Sequence, residues 1–220
     1  MFEERCINYG GINISDEIDL KRTALIIVDP QNDFLSEEGV VWDLVGDGVK
    51  ETKVVEHLVE LKATAKDVSM PVFYSPHYYS DEEFENWSHL NPIDKLMFER
   101  KMFKKGGWGA EFHPQLQPDE NTVVLSPHKA LSNFWTGDIG IQLRQRDIHT
   151  IILAGMSANL CVESHLRDAI ENGFDVLVVK DATTGPGPEA TQAAYTNYGL
   201  IATEVVTTDD ILKRLKESAK

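Results

Sequence analysis

The chain has 220 residues, 42% of them hydrophobic and 26% charged, with 21 Lys and Arg set against 36 Asp and Glu. This composition excludes disordered, collagen-like and coiled-coil chains, and the length suits one large domain with its own core. The formal net charge of −15 is spread along the chain, which argues against nucleic acid or an anionic membrane surface as partner, because affinity for both depends on Lys and Arg.

Residues 1–22 read as an arm ahead of the first strand. The run TALIIVD at 23–29 is continuously apolar up to its last residue, as expected of a strand buried on both faces of a parallel sheet. Helical spacing follows over 49–67, then a second strand at 70–76. Residues 77–120 are too long for an ordinary connection. They carry an acidic segment (81–87), a basic one from Lys95 to Lys105 and the glycines of GGWG (106–109), and predict an excursion that serves as a lid or an oligomer contact. Strands are predicted at 121–127, 149–155, 174–181 and 200–207, with amphipathic segments at 138–146, 160–172, 188–198 and 209–220. Six strands alternating with helices predict an α/β fold over residues 1–220 as a single domain. The expected form is a Rossmann-like three-layer α/β/α arrangement around a six-stranded, mainly parallel sheet.

Two cysteines, Cys6 and Cys161, cannot build a disulfide framework. No basic segment followed by an apolar run opens the chain, and no apolar run approaches ~18 residues, so the expectation is a cytoplasmic protein.

Open parallel sheets bind ligands beyond the carboxyl ends of their strands. Beyond the first predicted strand lies Asp29, beyond the third His128-Lys129, and beyond the fourth a turn ending at Cys161. An acid, an amine and a thiol at the ends of three strands that a Rossmann-like order places side by side are the parts of an activated nucleophile with its base and a positive charge. Taken singly, Asp29 reads as a turn or cap residue, Lys129 as a solvated lysine and Cys161 as an inert core cysteine. The predicted helix start at Cys161 would lower its thiol pKa.

Three blocks carry a resemblance: VDPQNDF around Asp29, K-x-x-S-x-F-x-T from Lys129 to Thr136, and GMSANLCVESHLRDA from Gly155 to Ala169. Together with DAT at 181–183, they resemble the isochorismatase-like cysteine hydrolase family over residues 22–207. The resemblance implies a catalytic triad of Asp29, Lys129 and Cys161. It also implies an oxyanion hole from the backbone of Ser157 and Cys161, and a cis peptide between Met156 and Ser157. By this resemblance Cys161 attacks an amide carbonyl, Asp29 shuttles the proton, and water hydrolyses a thioester. The implied activity is hydrolysis of a linear amide or ureido C–N bond in a small molecule by a homo-oligomer, dimer or tetramer.

Members of the family act on nicotinamide, N-carbamoylsarcosine, ureidoacrylate, biuret-like or maleamate substrates, or on the vinyl ether of isochorismate. The cysteine argues against the vinyl-ether reaction, which needs no nucleophilic thiol. The Asp-x-His of metal-dependent nicotinamidases is missing, so the expectation is no metal and no cofactor. His113, His128, His149 and His165 have no metal-ligand spacing. Phe34, His77, Trp108 and Trp135 are candidate pocket residues, with packing beneath the excursion or a loop position as the alternative. Two rival readings stand beside the amidohydrolase: an isochorismatase-type vinyl-ether hydrolase, and a catalytically idle binder of small molecules.

Overall fold

A computed structural model describes residues 17–220, so the arm and Cys6 lie outside the described residues, apart from residues 17–22. Six strands form one sheet: β1 (Thr23–Val28), β2 (Val72–Ser75), β3 (Thr122–Val124), β4 (Thr150–Gly155), β5 (Asp175–Val179) and β6 (Glu204–Val206). Every pairing is parallel and the order is β3-β2-β1-β4-β5-β6. The sequence expectation of a six-stranded, mainly parallel sheet is met, with no antiparallel strand.

Both faces of β1 are buried, and the alternation of its side chains sends them into two separate cores. Leu25 and Ile27 pack with α2 (Trp42–Glu51), α3 (Val54–Asp67) and α10 (Thr208–Ser218). Ala24, Ile26 and Val28 face α7 (Ile139–Gln145), α8 (Glu163–Glu171) and α9 (Pro188–Ile201). These are the three layers. At ~25 cal/mol per Å² of apolar surface removed from water, the two cores are the main force holding them together.

Two elements differ clearly from expectation. The single helix expected at 49–67 is two, because Lys53 takes the left-handed conformation (φ 50°) between α2 and α3. The last strand is only Glu204–Val206, since α9 runs on to Ile201. The 77–120 excursion holds α4 (Asp81–Asn86), capped by a reciprocal Ser80–Glu83 box, and α5 (Pro92–Glu99), capped by Asn91. Among the described residues no helix is long and apolar enough to cross a membrane.

Strand order reverses between β1 and β4, so the ends of these neighbouring strands flank the crevice. Gly155 pairs with Val28, and a Cβ there would lie 2.1 Å from the Val28 carbonyl oxygen, so only glycine allows this approach. The close approach sets the turn after β4 directly against Asp29. β3 does not adjoin β1, contrary to the side-by-side arrangement expected of the three strand ends. β2 lies between them.

Candidate active site

Asp29 follows the last residue of β1 in the left-handed region (φ 47°) and is wholly buried. After β4, the peptide between Met156 and Ser157 is cis. The chain then forms a π-helical turn, Ala158–Val162, in which the Val162 N–H donates to the Ser157 carbonyl five residues back at 3.1 Å. Such turns are often found at functional sites. Cys161 sits in it, buried and free of disulfide bonding.

The turn is pinned from three sides. The Ala158 N–H donates to the Thr184 carbonyl at 2.8 Å, and the Tyr198 hydroxyl donates to the Ala158 carbonyl at 2.5 Å. His165, one helical turn after Cys161, sets Nδ1 at 2.7 Å from the Cys161 carbonyl, while its Nε2 accepts from the Asn133 N–H at 3.2 Å. Burial, reinforced by the nearby His128, holds the His165 pKa down at about 3, so this imidazole is a neutral strut.

Four buried side chains converge here. Asp29, His77, His128 and Cys161 each offer an atom such that all four lie within 4.8 Å of one another. His128 Nε2 is 2.9 Å from Asp29 Oδ1. Lys129 is not brought to this cluster. Its ammonium donates to the Tyr78 carbonyl at 2.5 Å, pairs with Glu83 at 2.7 Å and lies 5.2 Å from the centre of the Tyr79 ring.

The reason is geometric. His128 bridges in parallel to His77, extending the β2–β3 pairing, and neighbouring residues on extended backbone point to opposite sides. One of His128 and Lys129 can face Asp29, but not both. His128, which lacks metal-ligand spacing in the sequence, and not the expected Lys129, therefore lies beside Asp29. The parity of the strand was the signal available.

The thiol also departs from expectation. Burial and the adjacent Asp29 carboxylate push its pKa well up, against a smaller lowering by the backbone N–H groups of Ser157 and Cys161, which reach the sulfur. Cys161 therefore rests as a thiol. His77 is held well below the ordinary histidine range, first by burial and then by His128, and is neutral.

Among the expected pocket residues, Phe34 and His77 line a cavity of about 50 Å³ that opens on Cys161. Phe34 meets Phe103 edge-on, and His77 stacks on Phe103 with centroids 5.0 Å apart. Trp108 and Trp135 do not line it. Trp108 is half-exposed and contributes its carbonyl to Asn32, while Trp135 is 82% exposed on the outer surface, its indole N–H donating to Asp168 at 3.2 Å. The excursion supplies much of the wall through Met97, Met102 and Phe103.

Three polar residues of VDPQNDF hold that wall against β1. Gln31 exchanges hydrogen bonds with the His77 backbone at 2.8 and 3.0 Å and donates to the Ala110 carbonyl at 2.8 Å. Asn32 donates to the Trp108 carbonyl at 2.9 Å, and Asp33 accepts from the Phe103 N–H at 2.6 Å. A Cβ on Gly109 would fall 2.0 Å from the Asp33 carboxylate, so that glycine serves close packing. Asp181 of the DAT segment is structural: its carboxylate accepts from the Thr208 N–H at 2.7 Å at the start of α10.

Comparison with known proteins agrees with this architecture. The profile of the isochorismatase domain matches residues 23–210. Ureidoacrylate amidohydrolase RutB of Klebsiella pneumoniae is 32% identical over 191 residues, covering 80% of each chain. The protein of the same name from Pseudomonas syringae pv. syringae is 31% identical, covering 86% of this chain and 81% of its own. Among solved structures, a cysteine hydrolase from Pseudomonas syringae pv. phaseolicola superposes with a TM-score of 0.78 at 23% identity, over 91% of this chain and 95% of the other. N-carbamoylsarcosine amidase from Thermoplasma acidophilum gives 0.65 at 23% identity, over 86% and 97%. The extent of the profile match and the identity to the two relatives establish that the chain belongs to the isochorismatase domain family.

Proposed function

We propose that this protein is a cysteine amidohydrolase that cleaves a linear amide or ureido C–N bond of a small molecule through a thioester, with Cys161 as nucleophile, Asp29 as base and His128 in the third position. The observation that carries the reading is the convergence of Asp29, His128 and Cys161 in a buried cluster at the β1/β4 crevice. Family membership and the amidohydrolase names of its relatives support it.

Asp29 Oδ1 is engaged by His128, while Oδ2 has no hydrogen-bond partner among the described residues and is available to take a proton. The Sγ–H proton passes to Asp29 as sulfur attacks the carbonyl carbon, so the raised thiol pKa is overcome within the attack step rather than beforehand. The Ser157 and Cys161 N–H groups receive the oxyanion, each such donor being worth ~3–4 kcal/mol of barrier. Collapse breaks the C–N bond, and Asp29 returns the proton to the departing amine. Water then attacks the thioester, yielding the acid and the free thiol. His128 orients Asp29 through the contact at Oδ1, standing where the resemblance implied Lys129.

Replacing Cys161 by Ser and by Ala, and assaying ammonia release from a panel of small amides and ureides, tests the reading. Loss of turnover with retained folding, and a thioester adduct seen by mass spectrometry in the parent, are expected. Full activity in both variants would end it.

One observation favours a second reading. Both ring nitrogens of His77, Nδ1 of His128 and Oδ2 of Asp29 are buried without partners, and a thiolate, two imidazoles and a carboxylate form a donor set that zinc accepts at ~2.0–2.3 Å. In that reading the cluster holds a transition metal. Activity unchanged by chelation favours the thiol mechanism, whereas activity lost to chelation and restored by Zn²⁺ favours the metal. A reducing compartment suits the free thiol, and a dimer or tetramer remains part of the proposal, checked by sedimentation.

A further inference from the structure

The wall of the cavity beside Cys161 has an unusual chemical uniformity. Its lining residues are aliphatic or aromatic except for His77, Ser157 and Cys161, and none of them is charged. Ile93, Leu96, Met97 and Met102 come from the excursion, Val41, Leu44 and Val45 from α2 and the turn before it, and Leu160 and Pro186 from the β4 and β5 sides.

Among the described residues no Lys or Arg lines the cavity, and four basic side chains of the surrounding elements are engaged elsewhere. Lys129 is held by Glu83 and the Tyr78 carbonyl, Arg100 pairs with Asp43 at Oδ1 and Oδ2, Lys104 pairs with Asp81 at 2.8 Å, and Lys101 lies over the Phe84 ring.

A carboxylate in this cavity would lose its hydration and meet no counter-charge, and apolar walls do not replace either. Apolar surface, by contrast, gains from entering it. Beside the Cys161 thiol, the polar side chains that line it among the described residues, His77 and Ser157, are neutral hydrogen-bonding groups suited to an amide. We propose that the substrates are neutral carboxamides or ureas bearing an aliphatic or aromatic substituent, and that carboxylate-bearing ureides of the kind named for the ureidoacrylate relatives are rejected. This specificity rests on the amidohydrolase reading above.

The test compares hexanamide and benzamide with succinamate, which matches hexanamide in its number of non-hydrogen atoms, and with ureidoacrylate. Ammonia release by the parent enzyme is expected to give kcat/KM roughly 100-fold higher for the neutral amides. Leu44→Arg, at the half-exposed rim of the cavity, is expected to narrow that gap by roughly tenfold by giving succinamate a partner. Equal or faster turnover of succinamate or ureidoacrylate by the parent overturns the proposal and leaves the amidohydrolase reading intact. Binding to Cys161→Ser, measured by calorimetry with hexanamide and succinamate, separates the two claims. A preference for hexanamide without any hydrolysis by the parent keeps the cavity's specificity and removes the amidohydrolase reading. No preference in binding overturns the proposal.

Discussion

Two polar clusters grow from the same six residues after β1, and they are built oppositely. Gln31, Asn32 and Asp33 are buried with their amide and carboxylate groups committed to backbone of the excursion and to Ser36 and Val40. Asp29, two residues earlier, sits in a group whose members keep unpartnered atoms: Asp29 Oδ2, His128 Nδ1 and both nitrogens of His77. A buried polar atom without a partner costs ~1–3 kcal/mol. Saturated groups stabilise the wall, and unsaturated ones are left free for a reacting molecule or ion. The contrast separates scaffold from chemistry more sharply than residue type does, since both clusters contain a buried aspartate.

Breaking the chemical cluster should have the largest effect. Cys161→Ser and Asp29→Asn are each expected to lower amide turnover by roughly 10³-fold or more while the melting temperature stays near the parent's. Substantial activity in either variant would place Asp29 and Cys161 on the scaffold side of the comparison. Next comes His128→Ala, expected to reduce kcat by roughly 10²-fold with little change in KM, because the group acts on Asp29 rather than on substrate. Equal losses in kcat for Lys129→Met would return the lysine to the role first expected of it.

Asp33→Ala tests the saturated cluster. It leaves the Phe103 N–H without its acceptor and is expected to cost ~1–3 kcal/mol in denaturant titration. Its effect on turnover should follow the altered wall through KM.

A pH effect on stability follows from the buried histidines. His77 and His165 have folded pKa values below 6.5, that of His165 at about 3, so the unfolded chain binds more protons as pH falls below 6.5. The contribution of each is complete above pH ~6.5 and is lost as pH falls, that of His165 down to about 3 at up to about 1.4 kcal/mol per pH unit. His165→Gln should flatten the fall of melting temperature between pH 6.5 and 4, and an unchanged slope would show that His165 does not carry it. Smallest of all, Lys129→Met should change kcat by less than about threefold and stability by about 0–1 kcal/mol, since its ion pair with Glu83 is partly solvated.

The sheet was legible because hydrophobic runs of strand length separated by helical spacing report burial on two faces, a local property of sequence. Asp29 and Cys161 were legible for a related reason: both sit at strand ends, and strand ends in such sheets converge. Lys129 was not, because its direction depends on the side-chain parity of backbone extending beyond β3, a matter of register against His77. Trp108 and Trp135 carry the composition of a pocket wall but not its position. The thiol pKa was misjudged in direction because a helix start is visible in sequence, whereas burial and a facing carboxylate are not.

The amino-acid sequence by itself determined the alternation of strands and helices, the strand-end location of an acid and a thiol, and the family to which the chain belongs. Tertiary structure alone decided that His128 rather than Lys129 meets Asp29, that the excursion closes an uncharged wall over Cys161, and that polar groups a few residues apart are either saturated or left open. The physical reason is that period and propensity act within a segment. Charge state, pocket polarity and hydrogen-bond completeness are set instead by which distant segments exclude water together.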